Sequence, residues 1–190
     1  MRLNQKRVIL CGRAASGKDY LRKLLQEDDL KYQISYTTRP PRQNEVHGID
    51  YLFLDEQSFK NMINNDEFYE YVVFNGWYYG TSRKQFNELN SMFIMTPAGL
   101  AHLSNKDRED SLVIYLDIPE DVRRSRMLLR NDADNTERRI NADNIDFKDF
   151  ENYDIIIEDP NFTMELINDS LKNYSSVLEG LMKHIHTYTL

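Results

Sequence analysis

R-V-I-L-C-G-R-A-A-S-G-K-D-Y-L, from Arg7 to Leu21, decides the fold. Val8 to Leu10 is a short apolar run that reads as a buried strand. Gly12, four residues, then Gly17 and Lys18 give the G-x-x-x-x-G-K spacing of a phosphate-binding loop. Leu21, Leu24 and Leu25 then begin a helical period. A strand feeding a glycine-rich turn that opens a helix aims backbone N–H groups and the positive helix end at one point. An anion with several oxygens fits there, and Lys18 adds a mobile charge. The usual last position of the motif is Ser or Thr, whose hydroxyl reaches magnesium; here it is Asp19. A chance glycine-rich turn is the competing reading, and the register of strand, spacing, lysine and helix weighs against it.

The chain around this loop has 190 residues, enough for one domain with a subdomain. It is 41% hydrophobic and 29% charged, with a net charge of −7, which argues against nucleic-acid or membrane-surface binding, since phosphate backbones need a clustered basic face. Its one cysteine, Cys11, lies inside the first strand and has no internal disulfide partner. No run approaches the roughly 18 apolar residues of a membrane span, and Met1 to Arg7 lacks a signal peptide's apolar core. A cytoplasmic location is expected. The four histidines show no metal-ligand spacing with acid or sulfur partners.

Outward from the loop, a helix is predicted from Lys18 to about Glu27, and a second strand over Tyr32–Tyr36. The stretch T-T-R-P-P-R-Q-N-E-V-H-G is excluded from regular structure by its two prolines. Asp50–Leu54 reads as a strand, Asp55 as the N-cap of a short helix, and Phe68–Phe74 and Trp77–Gly80 as a hairpin around Asn75-Gly76. Beyond Ser91, apolar runs at Met92–Met95, Leu112–Leu116 and Asp154–Ile157 alternate with helices at Pro97–Leu103 and after Pro119. A long helix closes the chain from Phe162 to about Lys183. Continuous apolar strands separated by helices predict an α/β fold: a three-layer, phosphate-loop architecture whose parallel sheet carries helices on both faces. Residues 1–34 and 90–190 make this core. Residues 35–89, aromatic and hairpin-rich, form a mixed α+β insertion at the carboxyl edge, where ligands of such folds sit.

Two further constellations carry chemistry. Arg39 and Arg42 flank the prolines on a stiff loop and, with Tyr51, make a plausible cage for a second phosphate; a solvated loop with two charges is the equally open alternative. Six arginines then crowd Arg123 to Arg139 of this acidic protein. Arg126 and Arg130 lie four apart on one helix, a like-charge arrangement that an anion between them would rationalise. The polar stretch N-D-A-D-N-T suits a flap, so residues 126–142 are read as an arginine-rich lid; a solvated helix face competes. A phosphate loop, a phosphate cage and an arginine flap suggest phosphoryl transfer between two nucleotides.

At this point the sequence resembles the guanylate kinase family. The resemblance rests on S-Y-T-T-R-P-P-R-Q-N-E-V-H-G-I-D-Y-L-F, on E-F-Y-E-Y-V-V-F-N-G-W-Y-Y-G-T-S and on E-D-V-R-R-S-R-M-L-L-R, and covers nearly the whole chain. It implies an enzyme that moves the γ-phosphoryl group of ATP to GMP or dGMP, with Mg2+. The loop residues Gly12, Arg13, Ala14, Ala15, Ser16, Gly17, Lys18, Asp19 and Tyr20 would hold the donor. Ser35, Arg39, Arg42, Tyr51 and Tyr79 would hold the monophosphate. Glu70 would accept from guanine N1 and N2, both donors, and Thr81 would lie near O6. Lys18, Arg39, Arg126, Arg130 and Arg139 would surround the transferring group.

The departures from the family pattern are informative. Its D-x-D-x-x-G pattern, aligned on Gly99, puts Ile94 and Thr96 at the aspartate positions. The first of these belongs to the magnesium environment and the second reads the guanine amino group. Asp19 supplies a carboxylate the family lacks, so the metal-side carboxylate is expected to have moved to the loop. Glu158-Asp159-Pro160 replaces an Asn-Asp turn near the donor base. Thr96 leaves open a kinase of broader base choice, and a non-catalytic protein-binding module of the same fold is the alternative from another class. Oligomeric state, the choice of ribo- or deoxynucleotide and the preferred donor are not legible.

Overall fold

The computed structural model describes residues 7–26, 30–74, 76–129 and 135–174. Strand β1 (Arg7–Gly12) is buried at all six positions and lies at the centre of a sheet. Its side chains alternate between two cores, as the two-residue period of a strand requires. Val8 and Leu10 face a cluster with Leu21, Leu25, Leu112 and Ile167. Ile9 and Cys11 face another with Phe86, Phe93, Val113 and Phe147. That alternation is the physical origin of the three layers.

After β1 come α1 (Lys18–Gln26) and β2 (Lys31–Tyr32). The chain then leaves the sheet through β3 (Tyr36–Thr37), β4 (Leu52–Phe53), α2 (Glu56–Asn64), β5 (Phe68–Phe74), β6 (Trp77–Ser82) and α3 (Arg83–Phe86). It returns as β7 (Ser91–Ile94), α4 (Pro97–Leu100), α5 (Asn105–Glu109) and β8 (Ser111–Leu116). α6 (Glu120–Leu129), α7 (Thr136–Asp146) and β9 (Ile155–Ile157) follow, and residues 164–174 are helical (α8). The first sheet has the order β2-β7-β1-β8-β9, and all four pairings are parallel. The second has the order β4-β3-β6-β5.

The three-layer parallel reading therefore holds, with local corrections. Tyr32–Tyr36 is not one strand: its ends belong to different sheets, β2 to the first and β3 to the second. The second sheet is mixed: β3 and β4 run parallel, and the β3–β6 and β5–β6 pairs antiparallel. α7 went unrecognised in the sequence because its apolar positions are few; Asn135 caps it by accepting from the Glu137 and Arg138 N–H groups. The closing helix begins at 164, and the part expected beyond 174 lies outside the described residues. Asp55 caps α2 as expected, accepting the Ser58 N–H.

The second sheet has its own small core. The Phe59 ring stacks on Phe68 with centroids 4.3 Å apart. Gly80 is required opposite it: a Cβ there would meet the Phe68 ring at 2.9 Å. Among the described residues, no helix is long and apolar enough to cross a membrane.

Candidate functional site

The loop after β1 is shaped by two close approaches. A Cβ at Gly12 would stand 2.7 Å from Ser16 Oγ and 2.9 Å from the Leu116 carbonyl, so only glycine fits. Ala15 and Gly17 both adopt positive φ, 58° and 104°, which curls the loop and turns its amides to one side. Lys18 folds back over this curl, its ammonium donating to the carbonyls of Gly12 (2.6 Å) and Arg13 (2.9 Å). Burial holds its pKa below the ordinary lysine value, against the opposing pull of Asp143 and Asp19.

The other loop residues divide. The Arg13 side chain turns away and braces the loop against Tyr115, Asp117 and the Phe147 carbonyl, leaving its backbone to the loop. Asp19 lines the main cavity at the start of α1, with its side chain 70% exposed and 3.7 Å from the Arg22 guanidinium. Tyr20 does not face this cavity. Its ring lies 5.5 Å from Phe162 at a second hollow lined also by Arg126 and Pro160.

The opposite wall of the main cavity comes from the second sheet, through Glu70 and Tyr79, and from the segments flanking its strands, through Ser35, Arg39, Arg42 and Tyr51. Arg39 and Arg42 are not loose surface charges. The Glu45 carboxylate accepts from Arg39 through both oxygens at 2.8 Å, and from the Arg42 backbone N–H (2.8 Å) and guanidinium (3.1 Å). The Arg39 guanidinium also stacks 5.3 Å from the Tyr51 ring centre. Burial pushes the Tyr51 phenol up to about 12, so it stays a neutral donor.

Glu70 lies deeper, 6% exposed on β5, opposite Thr81 on β6. Burial raises its pKa above the ordinary glutamate value, although hydrogen bonds from the Thr81 side chain and backbone work the other way. Gly99 makes room for it, because a Cβ there would come within 3.2 Å of Glu70 Oε2. Ile94 and Thr96 line the same cavity. The Thr96 hydroxyl already has work to do: it caps α4 by accepting the Gly99 N–H at 3.2 Å.

The arginine group splits as well. Arg126 donates to the carbonyls of Ala15 (3.1 Å), Ser16 (3.2 Å) and Pro160 (2.7 Å), clasping the back of the phosphate loop. Arg139 lines the main cavity. Arg130 and residues 131–134, most of the expected flap stretch, lie outside the described residues. Three acidic residues escaped sequence reasoning: Glu45 behind the arginines, and Asp143 and Asp146 on the cavity wall of α7. For Asp143 a signal existed, since it lies one turn beyond Arg139 and so shares its helix face.

One cavity thus joins a phosphate loop, a pair of braced arginines and a buried carboxylate, on the two walls of an α/β core. The family model for guanylate kinase matches residues 4–181. The chain belongs to the guanylate kinase family. It is 31% identical over 175 residues to the guanylate kinase of Mycoplasma genitalium, covering 86% of this chain and 73% of that protein. With that of Onion yellows phytoplasma it shares 30% identity over 202 aligned positions, covering 100% and 91%. The crystal structure of guanylate kinase from Anaplasma phagocytophilum superposes with a TM-score of 0.66 at 21% identity, covering 93% of this chain and 87% of that one, and so shares the fold.

Proposed function

We propose that this chain transfers the γ-phosphoryl group of ATP to GMP or dGMP, giving ADP and GDP or dGDP, in the cytoplasm. The observation that carries the reading is the placement of Glu70 in the same cavity as Lys18, Arg39 and Arg42. A buried carboxylate accepts from two adjacent donors, and guanine presents them at N1 and N2, whereas adenine does not. Residues 35–89 act as the monophosphate-binding part and 126–142 as the lid, on a core of 1–34 and 90–190.

The roles follow from the partners each group now has. The loop from Gly12 to Lys18 holds the donor phosphates through those of its amides that carry no protein partner. Lys18 exchanges its two carbonyl contacts for phosphoryl oxygens, at which its charge is worth more. Arg39 and Arg42, already aimed by Glu45, lose little entropy when they grip the acceptor phosphate. Ser35, Tyr51 and Tyr79 add hydroxyl donors to that phosphate. Arg139 faces the gap between the two phosphates and offsets the charge of the moving group, and Arg126 holds the loop that supports it; Arg130 belongs to the same set by sequence position. Thr81 stands near O6.

Among the described residues no group of three or more His, Cys, Asp or Glu could hold a metal ion on its own. Magnesium fits nevertheless, because that ion keeps waters and phosphate oxygens and takes only one or two carboxylates. Asp19, exposed on the cavity wall, is the carboxylate that would hold it, and the ion would neutralise donor phosphate charge. Survival of the loop lysine and of the arginines speaks against a purely protein-binding module. Calorimetric titration with GMP and AMP tests the base reading: GMP binding that disappears in Glu70→Ala supports it, and equal affinity for AMP and GMP contradicts it.

A further inference from the structure

Arg123 and Asp143 form an ion pair in the interior, 2% and 3% exposed, with 3.3 Å between Nη1 and Oδ2. The same Oδ2 accepts the Ala14 N–H at 2.8 Å. Arg123 also donates from Nε to the Ile118 carbonyl at 3.0 Å. One carboxylate thus joins three segments: the phosphate loop through Ala14, α6 through Arg123, and its own helix α7. One turn before it on the same helix is Arg139, which lines the main cavity beside Asp143.

Energetically this is a poor way to fill space. Burial raises the pKa of Asp143 and lowers that of Arg123, so it disfavours the charge on both partners. Apolar side chains of similar volume often replace such a pair without loss of stability. What apolar chains do not offer is an acceptor for the Ala14 amide. That amide belongs to the loop whose curl sets where donor phosphates lie.

We propose that Asp143 is a positioning residue that latches the phosphate loop, through the Ala14 N–H, to the helix carrying Arg139. The latch fixes the distance between the loop amides and Arg139 before any nucleotide arrives. It also takes the Ala14 amide out of the set available to phosphate, leaving the donor to the amides further along the curl. The proposal rests on the reading of the loop as the donor site.

Three proteins test it: the wild type, the apolar pair Arg123→Met with Asp143→Leu, and Arg123→Met with Asp143→Asn. The Asn version keeps an oxygen for Ala14 while both interior charges are gone. Steady-state kinetics with Mg-ATP and GMP are read beside calorimetric affinity for ATP. The Met–Leu protein should still fold cooperatively and keep its KM for GMP within about twofold. Its kcat/KM for ATP should fall about tenfold or more, with a matching loss of ATP affinity, since small displacements of reacting groups are expensive in rate. The Met–Asn protein should recover most of that loss. Wild-type values for ATP in the Met–Leu protein, or equal losses in the Leu and Asn versions, would overturn the latch. If Met–Leu does not fold, Met–Ala against Met–Asn makes the same comparison. A wild type that binds ATP but does not phosphorylate GMP would refute the enzyme reading alone, and ATP affinity would still decide the latch.

Discussion

Glu70 and Thr81 are direct partners across the β5–β6 register, and the buried Thr81 side chain hydrogen-bonds the Glu70 carboxylate that lines the main cavity. Burial raises the Glu70 pKa above the ordinary 4.5. The sign of the pH effect follows. Guanine needs the ionised carboxylate, and the raised pKa means that this form is lost earlier as the pH falls. The KM for GMP should therefore rise on acidification with a midpoint above 4.5, while the KM for ATP moves less. In Glu70→Gln, which cannot ionise, that limb should vanish and the KM should be high throughout, by about 100-fold. Steady-state kinetics across pH decide this, and a flat wild-type profile would contradict it.

Glu45 holds both phosphate-cage arginines, so its loss should act on the acceptor side alone. In Glu45→Ala the KM for GMP should rise about tenfold, because two guanidinium groups must then be ordered by the ligand itself. Glu45→Gln, which keeps an acceptor, should lose less. An unchanged KM in the alanine variant would show that the arginines are aimed by other contacts.

Thr96 has a structural duty and a vacant chemical one. Thr96→Val removes the cap of α4 and should lower stability by about 1 kcal/mol, or about 2–4 °C in Tm for a chain of this size. Thr96→Asp keeps a cap acceptor and leaves a second carboxylate oxygen in the cavity. It should tighten GMP binding, as calorimetry would read. Unchanged affinity would mean that position 96 does not reach the base.

Asp19 stands where a hydroxyl usually serves magnesium. Asp19→Ser should raise the Mg2+ concentration needed for half-maximal rate several-fold, because the one exposed carboxylate of the loop is gone. Full turnover with a near-normal magnesium requirement would end its assignment to the metal.

Much of this molecule was legible in the chain because its signals are local. The apolar run at Val8–Leu10, the loop spacing and the cap at Asp55 depend on neighbours within a few residues, and each appears where the pattern put it. The cavity-lining set Lys18, Ser35, Arg39, Arg42, Tyr51, Glu70 and Tyr79 was equally accessible, because motif and resemblance named the residues. What escaped reading depends on long-range contact. Tyr32–Tyr36 looked like one strand because its split is dictated by two different sheets. The hold of the Arg126 guanidinium on the carbonyls of Ala15 and Pro160, each more than thirty residues away in the chain, has no local signal. The duties of Glu45 and Asp143 were hidden because a carboxylate that braces an arginine or an amide looks, in sequence, like any solvated charge.

Lys18, the paired arginines and Glu70 share one cavity, the arrangement that transfer from ATP to a guanine nucleotide requires. The most direct measurement is nucleoside diphosphate formation from a panel of ribo- and deoxy-monophosphates with Mg-ATP, run beside Lys18→Ala. GMP and dGMP should be converted, AMP, CMP and UMP should not, and Lys18→Ala should lose at least about 100-fold in kcat. Absence of turnover with every monophosphate, or turnover that survives loss of Lys18, would contradict it.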